Sequence, residues 1–375
     1  MLSPSTGSVR PTSTHPFCDL NFHAAAHRLS GQFGFKQHGL VLLPYRSSTS
    51  CWRGKRRHAL VISLGLVIST DVHAHGIAGN RFFAGTLTFD DPAVADEAIL
   101  PNFSYLDYPT QGSNASENRI RGAFDRLLTP TLAFTVDSGW VHQNWPIGHT
   151  SGADKTDIGL KYEAYRDNQH EALVSVGLAW GIAHSGAAAV GADAPNTIQP
   201  GVFFGKGFGD LPDSLSWLRP FAVTGSVVDE TPVGSSRATA LAPNLVTGRF
   251  DSVLSPGVET LHWGFSIQYS TLYLTNRFDG GPPKNEPLNQ LVPLVEFKFD
   301  SLRGQYTAAT ANPGLSYVAV NWQIAVEAIL PLNRAGGSGP GFRAQLLLFL
   351  DDLIPSVFGK PLLTDKAPDR RQIAW

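Results

Sequence analysis

Residues 262–273 read HWGFSIQYSTLY, and their alternation decides the fold class. Successive side chains of an extended chain point to opposite faces. Trp263, Phe265, Ile267, Tyr269 and Tyr273 therefore share one face, while His262, Gly264, Ser266, Gln268 and Ser270 share the other. Residues 318–330, VAVNWQIAVEAIL, repeat the scheme, setting Val318, Val320, Trp322, Ile324, Val326, Ala328 and Leu330 against Ala319, Asn321, Gln323, Ala325 and Glu327. A period of two sustained this far exceeds the ~5–6 residues of an ordinary globular strand. It suits the ~9–11 residues of a tilted strand that crosses a bilayer.

Working outward, similar segments pair along the chain: 120–128 with 132–140, 157–165 with 172–182, 198–208 with 218–228, 262–273 with 291–299, and 318–330 with 342–350. Residues 83–89 offer a further strand. The connections between pairs are longer and rich in Gly, Pro, Asn and Asp, as in 278–287, FDGGPPKNEP. Short turns alternating with long loops imply an all-β fold, an up-and-down antiparallel transmembrane β-barrel of about 10–12 strands. A soluble β-sandwich or jelly roll also alternates, but its strands are shorter and its sheets keep edges that need blocking.

The cost of burying charge in lipid assigns the faces. Arg or Lys on the lipid side at the midplane costs ~2–4 kcal/mol, so charged rows belong in the lumen. This makes Lys161, Glu163, Glu296, Lys298, Asn321, Gln323, Glu327, Arg343 and Gln345 lumen-facing candidates. Trp263, Phe265, Ile267, Trp322, Ile324, Val326, Leu346 and Leu348 become lipid-facing candidates. Trp140, Tyr165, Trp217, Tyr273 and Tyr317 fall near strand ends, where interfacial aromatic girdles form.

Upstream, residues 53–74 carry Arg53, Lys55, Arg56 and Arg57, then an apolar run, then Val72-His73-Ala74. That order is the signature of a secretory signal peptide, with His75 following the cut. Residues 1–52 are rich in Ser, Thr, Pro and His without a sustained period, and read as a non-native or disordered extension, with translation beginning near 41–43. Both cysteines, Cys18 and Cys51, precede the cut, so the exported chain forms no disulfide. Of the 29 Lys and Arg and 31 Asp and Glu, residues 1–74 hold eight and two, leaving an acidic remainder. With no basic stripe either, nucleic acid is not an expected partner.

Residues 75–101, HGIAGNRFFAGTLTFDDPAVADEAILP, followed by the hairpin LLTPTLAFTVDSGW at 127–140, resemble a group of largely uncharacterised proteobacterial outer-membrane barrel proteins. These are described as transporter-like and are similar in layout to channel proteins of aromatic-degradation pathways. The resemblance implies a barrel and transport, without a substrate. The expected organisation is a periplasmic N-terminal segment at 75–118, with room for a first strand, a barrel at 119–350, and a C-terminal extension at 351–375. Residues 367–375, APDRRQIAW, place charge on the row that should be apolar, so 342–350 is the expected closing strand.

An enzyme is not expected and no catalytic residue is assigned. The G-x-S-x-G, H-E-x-x-H and Walker patterns are absent from the sequence. A barrel lipase needs a Ser and a His in contact, and His262 and Ser266 lie roughly 13 Å apart by strand rise. His142 and His149 are a conceivable metal pair, and His75 a conceivable copper ligand in a histidine brace, but neither has supporting spacing; no metal or cofactor is assigned. The expected function is an outer-membrane channel or transporter of a Gram-negative bacterium that passes a small solute. Its expected partners are outer-membrane lipid, the barrel-assembly machinery and that solute. The alternative is a secreted or periplasmic β-sandwich that binds a metal or a carbohydrate.

Overall fold

The computed structural model describes residues 76–110, 113–234, 237–255, 257–271, 273, 290–358 and 360–364. Residues 1–52, read above as an extension, residues 53–74, read as a signal peptide, and residues 365–375 lie outside the described residues. In chain order the strands are β1 (Ile77–Ala78), β2 (Arg81–Phe82), β3 (Glu97–Thr110), β4 (Ser113–Thr129), β5 (Leu132–Trp145), β6 (Gly148–Ala153), β7 (Asp157–Asp167), β8 (Ala172–Gly181) and β9 (Thr197–Gly207). They continue as β10 (Phe221–Pro232), β11 (Ala238–Asn244), β12 (Arg249–Ser255), β13 (Thr260–Tyr269), β14 (Leu291–Leu302), β15 (Thr307–Val318), β16 (Trp322–Pro331) and β17 (Gly341–Phe349).

Among the described residues, twelve strands close into an antiparallel up-and-down barrel. The ring runs β3, β4, β5, β7, β8, β9, β10, β13, β14, β15, β16 and β17, and β17 pairs back on β3. Closure removes the sheet edges that an open sheet of such long strands would expose. Two hairpins rise from the ring: β6 continues the upper half of β5, and β11 with β12 forms its own two-stranded sheet. Glu97 pairs with Phe349, so both ends of the barrel chain meet at one rim, here called the near end.

Three expectations about the wall need correction. The barrel begins at Glu97, not at residue 119, so 97–118 belongs to the wall as β3 and the start of β4. Pro101 hid β3 from a pattern search; it sits where the ladders to both neighbours shift register and no regular ladder bond is required. Residues 318–330 are not one strand: Val318 ends β15, residues 319–321 turn, and Trp322 starts β16. The turn contains neither Gly nor Pro, so the alternation reads straight through it. Pro313 and Gly314 make β15 read as a loop, and its ladder to β16 is interrupted at Asn312 and Pro313. Finally, 83–89 is not a strand of the wall but an irregular segment inside the barrel.

The outward row carries large exposed apolar side chains on nearly every strand, among them Ile120, Leu160, Leu178, Val202, Trp263, Ile267, Ile324, Val326 and Phe342. Aromatic pairs knit this face across strands, with Trp263 stacked on Phe299 at 4.0 Å and Phe265 on Phe297 at 4.9 Å. A continuous apolar surface of this extent is unfavourable in water. The inward row holds the buried polar residues Lys161, Ser175, Thr224, Ser266, Glu296, Asn312, Gln323, Glu327 and Gln345.

Candidate functional site: a plugged lumen with a charged vestibule

The polar inward row does not line an open pore in the near half of the barrel. Residues 76–96 enter from the near end, rise inside the wall and return to the rim at Asp96. The short hairpin β1–β2 seats first. Arg81, fully buried, donates to Glu171 at 3.2 Å and to the Pro220 carbonyl at 3.0 Å, and lies 3.9 Å from the ring centre of Tyr273. Tyr273 is thus buried against the plug and is not part of an interfacial girdle.

Above this hairpin, the plug backbone has no strand partner, and wall side chains take that role. Gln268 accepts from the Ala84 N–H at 3.0 Å and donates to the Ala84 carbonyl at 2.9 Å. Gln323 holds Gly85 in the same two-bond manner, at 3.0 and 2.8 Å. The Glu296 carboxylate accepts from the N–H groups of Leu87 and Thr88, both at 2.9 Å. Gln345 donates to the Thr86 carbonyl at 3.2 Å, and Asn102 to the Leu87 carbonyl at 2.9 Å. A buried backbone group without such a partner costs ~1–3 kcal/mol, so these amides fix where the plug can sit.

Apolar packing accompanies the polar clamp. Ala84 packs with Val292, Val318, Leu347 and Phe349; Phe83 with Leu173 and Ala222; Leu87 with Leu294 and Ala325. Gly205 and Gly264 leave room for two of the plug phenylalanines: a Cβ at Gly205 would lie 3.2 Å from the Phe83 ring, and one at Gly264 3.1 Å from Phe89. A glycine inside a strand marks this kind of close approach.

At the apex the plug meets charge. Lys161 donates to both Asp90 oxygens at 2.9 and 2.8 Å and to the Asp91 carbonyl at 3.1 Å, with Asp125 3.9 Å away. Arg343 donates to Thr88 at 2.6 Å and to Glu327 at 2.8 Å, and Asn312 donates to Thr88 at 2.9 Å. Lys161 is buried, whereas the Asp90 side chain is 47% exposed. It faces a cavity of about 720 Å³ that fills the far half of the lumen and has residues 86–90 in its lining.

That vestibule carries a belt of interleaved charge. Arg119 pairs with Glu117 at 3.0 Å and Asp154 at 3.3 Å; Arg121 contacts Asp154 at 3.4 Å, Asp157 at 3.7 Å and also Asp137. Lys155 bridges Asp157 and Glu230. His262 lies 3.2 Å from Glu230 and 2.7 Å from Asp300, which pairs with Lys298 at 2.8 Å. Each lysine and arginine of the belt lies beside at least one carboxylate.

The candidates inferred from the alternation are distributed unevenly. Lys161, Glu296, Gln323, Glu327, Arg343 and Gln345 converge on the plug, and Lys298 lines the vestibule. Glu163 sits low on β7 and accepts from Arg166 at 2.7 Å. Asn321 is in the β15–β16 turn, where its carbonyl accepts from the Phe349 N–H at 3.0 Å. Trp263, Ile267, Ile324 and Val326 are exposed on the outer row, with Phe265, Trp322, Leu346 and Leu348 partly exposed there. Arg119, Arg121, Asp154, Asp157 and Glu230 were missed. Arg119, Arg121 and Asp125 share one parity in NRIRGAFDR, the same signal that marked Lys161.

The histidines separate. His142 and His149 approach to 5.8 Å between ring centres on the β5–β6 hairpin. His184 contacts Asp193 at 2.6 Å, and the neighbouring Ser185 donates to the Ile182 carbonyl at 2.7 Å. His262 is engaged by carboxylates and Ser266 is buried below it. Among the described residues, no three His, Cys, Asp or Glu side chains group to hold a metal ion. His75 lies outside the described residues.

The class defined by this geometry is a closed antiparallel β-barrel with an apolar outer row and an internal plug. No protein-family model matches the chain, and no curated protein matches it. Solved structures similar to it include a KdgM porin in complex with disordered oligogalacturonate, at 11% identity over 67% of this chain and 98% of that chain, with a TM-score of 0.36. A NanC porin gives 11% identity over 68% and 98%, TM-score 0.37. An outer-membrane channel from Pseudomonas putida F1 gives 12% identity over 68% and 95%, TM-score 0.39.

Proposed function

We propose that the protein is an outer-membrane channel for a small solute whose route is closed by residues 83–96 in this conformation. The carrying observation is the charged cavity of about 720 Å³ inside a closed barrel, bounded by the plug apex instead of by wall side chains alone. The apolar outer row supplies the lipid-facing surface, and the polar inner row supplies the solute-facing one. Both chain ends of the barrel lie at the near end, which is therefore the periplasmic end, with the β6 and β11–β12 hairpins outside the cell. Export through the 53–74 signal and insertion by the barrel-assembly machinery complete this reading.

Planar-bilayer conductance tests it. The wild type should conduct weakly, and a chain with 83–91 replaced by a Gly-Ser linker should conduct strongly while retaining the heat-dependent gel migration of a folded barrel. A folded linker variant with conductance no higher than wild type would sink the channel reading. A protein fully soluble without detergent would sink the membrane location as well.

A further inference from the structure

Beyond β17 the chain does not leave the barrel. A helical turn, Leu350–Leu353, carries it below β3, and residues 354–358 and 360–363 then lie along the near rim beside β4. The Leu362 and Leu363 N–H groups donate to the Leu127 and Leu128 carbonyls at 3.0 and 2.8 Å. Arg126 anchors the crossing: it pairs with the buried Asp96 at 2.7 Å and donates to the Val357 and Lys360 carbonyls at 2.9 and 3.0 Å. Its guanidinium also lies 5.1 Å from the Phe358 ring centre.

The decisive contact is Phe358 on Phe124, edge to face at 6.1 Å. Phe124 belongs to the exposed outer row of β4 with Ile120, so the segment lies against the outside of the wall. Its remaining apolar side chains have no cover: Leu353, Ile354, Val357 at 57%, Leu362 and Leu363 at 70% are all exposed. Lys360 is exposed among them. Pro355 and Pro361 keep the segment irregular, which suits the wet headgroup boundary and not the hydrocarbon core, where unpaired backbone groups are excluded.

We infer that residues 353–358 and 360–363 form an interfacial lipid-binding lip at the periplasmic rim, with Leu353, Ile354, Val357, Leu362 and Leu363 in the acyl boundary and Lys360 at the phosphates. The assignment of lipid rests on continuity: the lip extends the same outer row that Phe124 and Ile120 begin, and it combines apolar side chains with a cation at one edge. It rests on the membrane reading proposed above, and the test separates the two.

Nitroxide labels are placed at Val357→Cys, Leu363→Cys, Ile324→Cys and Val246→Cys in the full chain carrying Cys18→Ser and Cys51→Ser, reconstituted in phosphatidylethanolamine/phosphatidylglycerol vesicles. Val246, 94% exposed at the β11–β12 tip, is the aqueous reference, and Ile324 on the outer row of β16 is the lipid reference. At residues 357 and 363, collision with oxygen should exceed collision with a soluble nickel chelate, reversing the ratio at 246. Nickel-dominated collision at 357 and 363 beside oxygen-dominated collision at 324 would overturn the lip and leave the barrel in its membrane. Exclusion of both reagents at 357 and 363 would also overturn it, showing a protein surface in place of lipid. Nickel-dominated collision at 324 would instead defeat the membrane reading.

Discussion

Gln323 illustrates how a single inward side chain acts in this barrel. Its amide satisfies both backbone groups of Gly85, so Gln323→Leu leaves a buried N–H and a buried C=O unpaired, at ~1–3 kcal/mol each. Faster proteolysis within 83–96 in the folded barrel is the expected readout, with wild-type heat-dependent migration retained. Lys161 acts by charge. Lys161→Met removes the cation shared by the half-exposed Asp90 and the buried Asp125, and should cost ~1–3 kcal/mol, less than breaking a fully buried pair because water still reaches Asp90. Adding Asp90→Asn should recover part of that loss. Denaturant unfolding in detergent checks it: additive effects of the two substitutions would show that the pair is not coupled.

At the scale of an element, facing is the testable property. On β8, Leu178 is exposed on the outer row and Ala179 lines the vestibule. Leu178→Arg should impair folding into lipid by ~2–4 kcal/mol near the midplane, whereas Ala179→Arg meets water and neighbouring carboxylates. Equal yields of folded protein from urea into vesicles would refute the facing. Gln323 is unsuited to such a comparison because the plug fills the space before it. On β9, Gly205→Val would press on the Phe83 ring, and the expected result is higher bilayer conductance from an unseated plug with the barrel intact. The alternation made these faces legible wherever a strand was uninterrupted. It failed at β3 and β15, because a proline inside a wall strand looks like a loop until its register with both neighbours is known.

For the whole molecule, the barrel and the plug form one packing problem. Twelve strands enclose a space that wall side chains leave partly empty, and the near half is completed by Phe83, Ala84, Leu87 and Val94 from the plug. Truncating the plug should therefore lower barrel stability as well as raise conductance, a pairing that thermal unfolding followed by gel shift checks. By itself the sequence determined the all-β class, the antiparallel order and the two faces, because a period of two is a local property that each strand carries alone. Only the tertiary structure decided what the inner face meets. Glu296, Gln323 and Lys161 read as pore lining since nothing near them in sequence reveals a partner some 70 to 240 residues away. The plug shows no period because its hydrogen bonds go to side chains of a closed wall, and those exist as a site only once the strands have met.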